Sequence, residues 1–479
     1  MQYKYVVLTN TTIGAFMAIL DANVVLIALP TIIARLPGTS TFDGVWIIMG
    51  YMLITATLLL TFGRLSDVFG RVRLYTLGFA VFTVGSALCS LSPNGTALVA
   101  FRLVQGTGGA LIFSNSTAIL TDVFPPQERG KALGINQVAG TVGSVGGLVV
   151  GGILTGSLGW QSIFWINIPV GAFATVWAYT RLRETSSPSR GERLDPIGNA
   201  LFAVGLSAFL LGLTLGAISG WSVALVGTTL VGLAMLGAFV FVESKVKFPM
   251  MDLSLFRNRA FSAGILSNLL SFVARGALSL MLVFYFQGAL GLNALSAGLM
   301  LVPFSLAFVS FGPLSGYLSD RFGSRWFATA GVLISAGAIF WFSVFPFGAP
   351  YGELVIPMVM AGIGGGMFIA PNIASIMNAT PPARRGVASG MSSTLVNTGF
   401  LLSLGFAFAI MAVSVPISTL QAIFAGQAVT IDPLGIQLFI GSMRKVFMVM
   451  AAVSLIAAIP ASMTGPRVSQ KVYTGEQVE

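Results

Sequence analysis

GRLSDVFGRVR at residues 63–73 returns as GYLSDRFGSRW at 316–326, an offset of 253 residues. Further matches flank it in the same order. GTGGALI (106–112) followed by FPPQERGKALG (124–134) returns as GIGGGMF (362–368) followed by TPPARRGVASG (380–390), each at an offset of 256. One apolar helix resembles another by chance, but three ordered matches at nearly one offset describe a unit used twice in parallel orientation.

The medium for that unit follows from composition. Of 479 residues 55% are hydrophobic and 8% charged, whereas water-soluble domains carry about 25% charged residues. Apolar runs near the ~20 residues that span a hydrocarbon core recur throughout. Backbone in lipid must satisfy its own hydrogen bonds, so runs of this length imply helices. The runs fall near 6–29, 44–62, 73–91, 96–120, 132–155, 163–180, 196–217, 221–242, 260–286, 295–318, 327–346, 354–375, 387–412 and 443–464. The 57 glycines suit close helix packing.

The net charge of +10 reflects topology rather than a nucleic-acid surface. Every Lys and Arg except Arg35, Arg102, Arg275, Arg444 and Lys445 falls on the same alternate set of inter-run segments. That asymmetry puts both chain ends on the cytoplasmic side of the cell membrane and agrees with an even number of spans. Nucleic acid is therefore not expected as a partner; the expected partners are a small-molecule substrate and the bilayer, with the chain acting as a monomer. One cysteine, Cys89, excludes a disulfide framework, and no histidine is present to bind metal or titrate near neutrality. Neither a nucleotide fingerprint nor a catalytic constellation occurs, so an enzyme is not expected. The first run is long enough to span and lacks a small-residue cleavage site, so it reads as a span rather than a cleaved signal.

The fold expected is an all-α membrane protein of fourteen transmembrane helices. Six-helix bundles cover 1–182 and 259–479, with two inserted helices and their cytoplasmic linkers at 183–258. Within the repeated loop, Gly63 and Gly70 permit a tight turn. Arg64, Asp67, Arg71 and Arg73 can make charge-assisted bonds to neighbouring helix ends and latch the two bundles together.

These motifs carry a family resemblance. GRLSDVFGRVR resembles the signature cytoplasmic loop of the major facilitator superfamily. LDANVVLIALP (20–30), FRLVQGTGGA (101–110), FPPQERGKALG, GWQSIFWINIPVG (159–171), LDPIGNAL (194–201) and FPMMDLSLFRNRAF (248–261) are similar to its fourteen-helix drug:proton antiporter branch. The resemblance spans nearly the whole chain. It implies the major facilitator fold of two pseudo-symmetric bundles, and proton-coupled export of drugs or other small amphipathic compounds by alternating access. Protons would be the coupling ion, with no other cofactor. The helix 5 antiporter motif reads Gly-Pro-x-x-Gly-Gly in that branch. Here Gly143 precedes it and Gly147, Gly151 and Gly152 match, but Leu148 stands in the proline position. Close packing is retained and the proline kink is not expected.

Charges inside apolar runs point to the site, because each costs at least about 2.5–3.5 kcal/mol at a helix centre. Asp21, the one acid well inside a run, is the expected proton carrier, since burial disfavours an ionised carboxyl group. Arg102, on the fourth run at comparable depth, matches the arginine that the resemblance implicates in proton coupling. The pair must loosen in one state for coupling to work. Arg275 stands 254 residues after Asp21 and is its approximate repeat mate. The resemblance places the first helices of both halves around a central cavity, so Asp21 and Arg275 are expected to face it together. Such a cavity suits a zwitterionic or anionic substrate as readily as a lipophilic cation. Tyr51, Asn115, Asn136, Gln137, Asn268, Gln287 and Asn397 are polar residues placed to orient a substrate there, or to bond between helices. Two alternatives stay open: a transporter of one metabolite or organic anion, coupled or uncoupled, and a membrane receptor that does not transport.

Overall fold

The computed structural model describes residues 2–184, 195–246, 249–381, 384–427 and 432–464. Fourteen helices there are long and apolar enough to cross a membrane. They are α1 Tyr3–Arg35, α2 Thr41–Phe69, α3 Arg71–Ser90, α4 Gly95–Val123, α5 Pro126–Leu158, α6 Ser162–Arg181, α7 Pro196–Ser219, α8 Val223–Glu243, α9 Arg259–Ala289, α10 Ala294–Ser319, α11 Ser324–Val344, α12 Tyr351–Asn378, α13 Arg385–Ser414 and α14 Pro433–Ser462. No strand occurs among the described residues.

Polar residues at the water-facing ends start these helices. Ser40 and Asp43 form a reciprocal capping box before α2, and Asn94, Asp195, Ser222 and Asp432 each accept an amide of the following first turn. Both copies of the repeated loop turn on a glycine in the left-handed region: Gly70 has φ +104° and Gly323 φ +96°, a conformation that costs an L side chain strain. The final helix begins ten residues before its apolar run. Asp432 and Pro433 form its first turn, and the cations inside it are held, Arg444 by the Phe345 carbonyl and Lys445 by Ser414. A short helix not expected from the sequence, Ile417–Phe424, buries Leu420, Ile423 and Phe424 and stacks Phe424 on Phe284 at 4.2 Å.

The repeat is visible as atomic packing. In the first half, Gly106 lies against the Tyr51 carbonyl of α2, and Gly108 against Gly78 and Phe82 of α3. In the second half, their counterparts Gly362 and Gly364 lie against the Phe304 carbonyl of α10 and against Gly331 and Ser335 of α11. Each residue in the second set is the 253- or 256-residue equivalent of one in the first. Glycine at these crossings lets backbones touch, which is how helices associate where water provides no driving force.

The two halves meet through α1, α2 and α5 of one and α9, α10 and α13 of the other. Gly152 of α5 and Gly298 of α10 bring those helices into backbone contact, and Gln287 donates to the Ile27 carbonyl at 2.8 Å. The inserted α7 packs on α2 and α13, where Trp46 donates to Thr214 at 3.2 Å and Leu210 and Leu213 approach Gly405. Of the residues of α8 only Gly232, Phe239 and Glu243 are buried, so most of this helix faces outward.

Candidate functional site

Asp21 and Arg102 form a fully buried ion pair. Arg102 Nη1 lies 2.6 Å from Asp21 Oδ2, and the side chains are 1% (Arg102) and 0% (Asp21) exposed. The carboxylate is saturated: Gln105 Nε2 donates to Oδ1 at 2.9 Å and Asn167 Nδ2 donates to the same oxygen at 2.7 Å. Arg102 also donates to Gln105 Oε1 at 2.5 Å and, through Nε, to the Ile47 carbonyl at 3.2 Å. Gln105 Nε2 donates in addition to Ser86 Oγ at 2.7 Å. The guanidinium packs over the Tyr51 ring, 4.2 Å from its centroid. One carboxylate therefore ties α1, α4 and α6 together, with α2 and α3 attached through Arg102 and Gln105.

A separate cavity of about 230 Å³ lies between the halves. Its apolar walls include Met52, Phe272, Phe304, Phe308 and Phe400; its polar groups are Arg275, Asn23 and the hydroxyls of Ser144, Ser279, Ser305 and Ser335. Asp21 is not among the lining residues. It points into the first half, while the next two residues of α1, Ala22 and Asn23, form the wall. The sequence predicts Asp21 and Arg275 in one cavity; the structure brings only Arg275 there, because the acid is drawn inward by three donors.

Arg275 sits where α9 is interrupted. The helix runs from Arg259 to Arg275 and resumes at Leu278, and the Ala277 amide bonds Ser403 Oγ of α13 at 2.9 Å. A π-helical turn follows at Phe284–Ala289, a feature common near functional sites. The guanidinium lies over the Phe272 ring at 4.4 Å and nests on Gly365, where an added Cβ would stand 2.6 Å from Nη1.

The other expected cavity residues lie elsewhere. Tyr51 supports Arg102. Asn115 donates to the Leu111 carbonyl at 2.8 Å, Asn136 to Ser116 at 3.0 Å, Asn268 to Ser392 at 2.9 Å and Asn397 to the Ser393 carbonyl at 2.9 Å. Gln287 bridges the halves as described, and none of these residues lines the cavity. The Gln137 side chain lies outside the described ones. Of the residues that do line it, Asn23 and Ser279 had a legible signal, since they stand two and four positions beyond Asp21 and Arg275. The phenylalanines had none, because an aromatic facing a cavity reads like one facing lipid.

The glycines of α5 form one face. Gly143, Gly147 and Gly151 contact α1 at Phe16, Leu20–Asn23 and Val24, while Gly152 turns to α10. Leu148, in the place of the proline, is 3% exposed, and its carbonyl faces Gly298. In the repeated loop, Arg71 binds Asp67 and Asp122 at 2.7 Å, and Glu184 caps the amides of Arg71 and Val72. Asp67 and Asp122 belong to the first half and Glu184 to the linker directly after it, so Asp67 and Arg71 do not form the expected latch between bundles here. Asp122 at the end of α4 and Glu184 after α6 are the acids placed beside the loop. Arg64 bonds the Pro249 carbonyl of the linker; Arg384 of the second half pairs with Asp252 of that linker at 2.7 Å. Arg73 is exposed and Gly63 borders open space.

Two pseudo-symmetric helical halves around a cavity, with a buried ion pair beside it, form an arrangement suited to carrying small molecules across a membrane. The sequence model of the Major Facilitator Superfamily matches residues 11–247 and 264–476, and the chain belongs to that family of transporters. It is 32% identical over 411 residues to the riboflavin transporter RibZ of Clostridioides difficile (strain 630), covering 85% of this chain and 88% of that one. It is also 32% identical over 393 residues to the multidrug resistance protein Stp of Mycobacterium tuberculosis (strain ATCC 25618 / H37Rv), covering 81% and 72%. Among solved structures, a bacterial homolog of the human lysosomal transporter Spinster superposes with a TM-score of 0.68 over 97% of both chains at 18% identity, a likeness of fold.

Proposed function

We propose that the chain is a proton-coupled exporter of small amphipathic compounds, working by alternating access as a monomer in the plasma membrane, with both chain ends cytoplasmic. The observation that carries this reading is the Asp21–Arg102–Gln105–Asn167 network. A proton on Asp21 would discharge the ion pair and release Arg102 and Gln105, loosening α1 from α4. Because α1 also walls the cavity at Ala22 and Asn23, the event reaches the substrate one residue away. Protons are the coupling ion, and no other cofactor is invoked. The likeness to Stp supports a drug-like substrate range.

A second reading, a carrier selective for one aromatic metabolite, is favoured by the equal identity to RibZ over more of the chain and by the modest cavity. Flux into liposomes tests both, using a compound panel with and without an imposed pH gradient. Asp21→Asn is expected to lose gradient-driven accumulation down to the level of protein-free vesicles while retaining counterflow exchange. Full gradient-driven accumulation in that variant would reject the carrier role of Asp21. Saturable flux confined to one compound of the panel would select the second reading.

A further inference from the structure

Arg275 lacks the partners that surround the buried charge of the first half. In the first half, the charge on α1 is neutralised by Arg102, and its network is completed by Gln105 and Ser86. The equivalents of these three residues in the second half are Met358, Ala361 and Ile339. None carries a charge or a hydrogen-bonding side chain, and Ala361 and Ile339 line the cavity instead of filling it. Arg275 has no hydrogen-bond or ion-pair partner among the described residues; its guanidinium rests on Gly365 and against the rings of Phe272, Phe308 and Phe368 at 4.4, 5.9 and 5.8 Å. A second space of about 10 Å³ beside it is lined by Ser271, Ser335 and Ser454 and by no acid.

A cation in low dielectric without a counter-ion is costly, and a guanidinium presents a planar fork matched to a carboxylate. We infer that Arg275 is the anion-binding point of the central cavity, and that the ligand it selects joins one carboxylate or similar oxyanion to an aromatic body. The aromatic part fits the walls formed by Phe304, Phe308 and Phe400, and the serine hydroxyls beside the guanidinium complete the coordination of the anion. This narrows the substrate class within the transporter reading above and rests on it only in taking the cavity to be where substrate sits. Of the substrates that the sequence reading allowed, it sets aside the zwitterion, since Asp21 faces away.

Binding to the purified full-length protein in detergent tests this without any proton gradient, so a failure of proton coupling and a failure of this site are separable. Indole-3-acetate, indole-3-acetamide and tryptamine share a ring and differ in charge. Wild type is expected to prefer the carboxylate to the amide by about tenfold or more, and to bind the amine least. Arg275→Gln should abolish that preference, Arg275→Lys should retain part of it, and Arg275→Glu should favour the amine. Gly365→Ala, which keeps the charge but pushes Nη1 from its cradle, should weaken the carboxylate selectively. Absence of a carboxylate preference in wild type, through equal binding or none, overturns the assignment. So does an undiminished preference in folded Arg275→Gln.

Discussion

Arg102→Ala is expected to destabilise the protein by about 3–5 kcal/mol, the cost of removing one partner from a buried ion pair. The variant leaves the Asp21 carboxylate without its cation at 0% exposure, and Gln105 and Asn167 remain as neutral donors. It also frees the Ile47 carbonyl and removes the plane stacked on Tyr51. The sign of the double change separates charge from packing. Asp21→Ala with Arg102→Ala removes both charges and is expected to recover much of the loss, because two neutral cavities cost less than one unpaired ion. Arg102→Lys should fall between, since an ammonium cannot serve Asp21, Gln105 and Ile47 in one plane. Denaturation in mixed micelles followed by intrinsic fluorescence measures the series. A double variant less stable than Arg102→Ala would show that packing, rather than charge, governs this core.

Gly108→Ala is expected to cost about 1–3 kcal/mol, the range for overpacking a filled interior, although alanine is the better helix former by about 1 kcal/mol. An added Cβ would stand 2.7 Å from Phe82 Cα and 2.8 Å from the Gly78 carbonyl. Both neighbours are backbone, so α3 and α4 must separate. Gly364→Ala repeats the experiment in the second half, with the Cβ 2.6 Å from the Gly331 carbonyl and the Ser335 amide. Gly227 and Gly337 are the controls: nothing lies within 4 Å of a Cβ at either, so alanine there should be neutral or slightly stabilising. Thermal unfolding in detergent distinguishes the pairs. Equal melting of Gly108→Ala and Gly227→Ala would show that the crossing yields without cost.

Much of the architecture is legible in the amino-acid sequence. The spans are written in local composition, since lipid imposes a length and an apolarity that each segment meets alone. The symmetry is written in the loop at 63–73 and its copy, and helix placement follows the apolar runs except where a polar turn extends a helix, as it does from Asp432 onward. Asp21, Arg102 and Arg275 stand out because charge in such runs is rare. Their pairing is only half legible. Asp21 with Arg102 follows from opposite sign and similar depth, whereas the roles of Gln105 and Asn167 do not: an amide in a helix looks the same whether it serves a carboxylate, a neighbouring carbonyl or a ligand. Asn115, Asn136, Asn268 and Asn397 serve side chains or carbonyls, and Gln287 joins the halves.

Composition, the repeated loop and the rare charges are enough to specify a membrane protein of fourteen helices, doubled around an inserted pair, with three buried charges. Which charge is spent and which is available depends on how the helices pack. Asp21 points into its own half, where three donors from α4 and α6 hold it. In α9 the position that packs as Asp21 does is Ala274, and Arg275 stands one residue on, at the place of the cavity-lining Ala22, so it faces the cavity. The donors that hold Asp21 come from helices distant in the chain, and no local pattern in α1 encodes them.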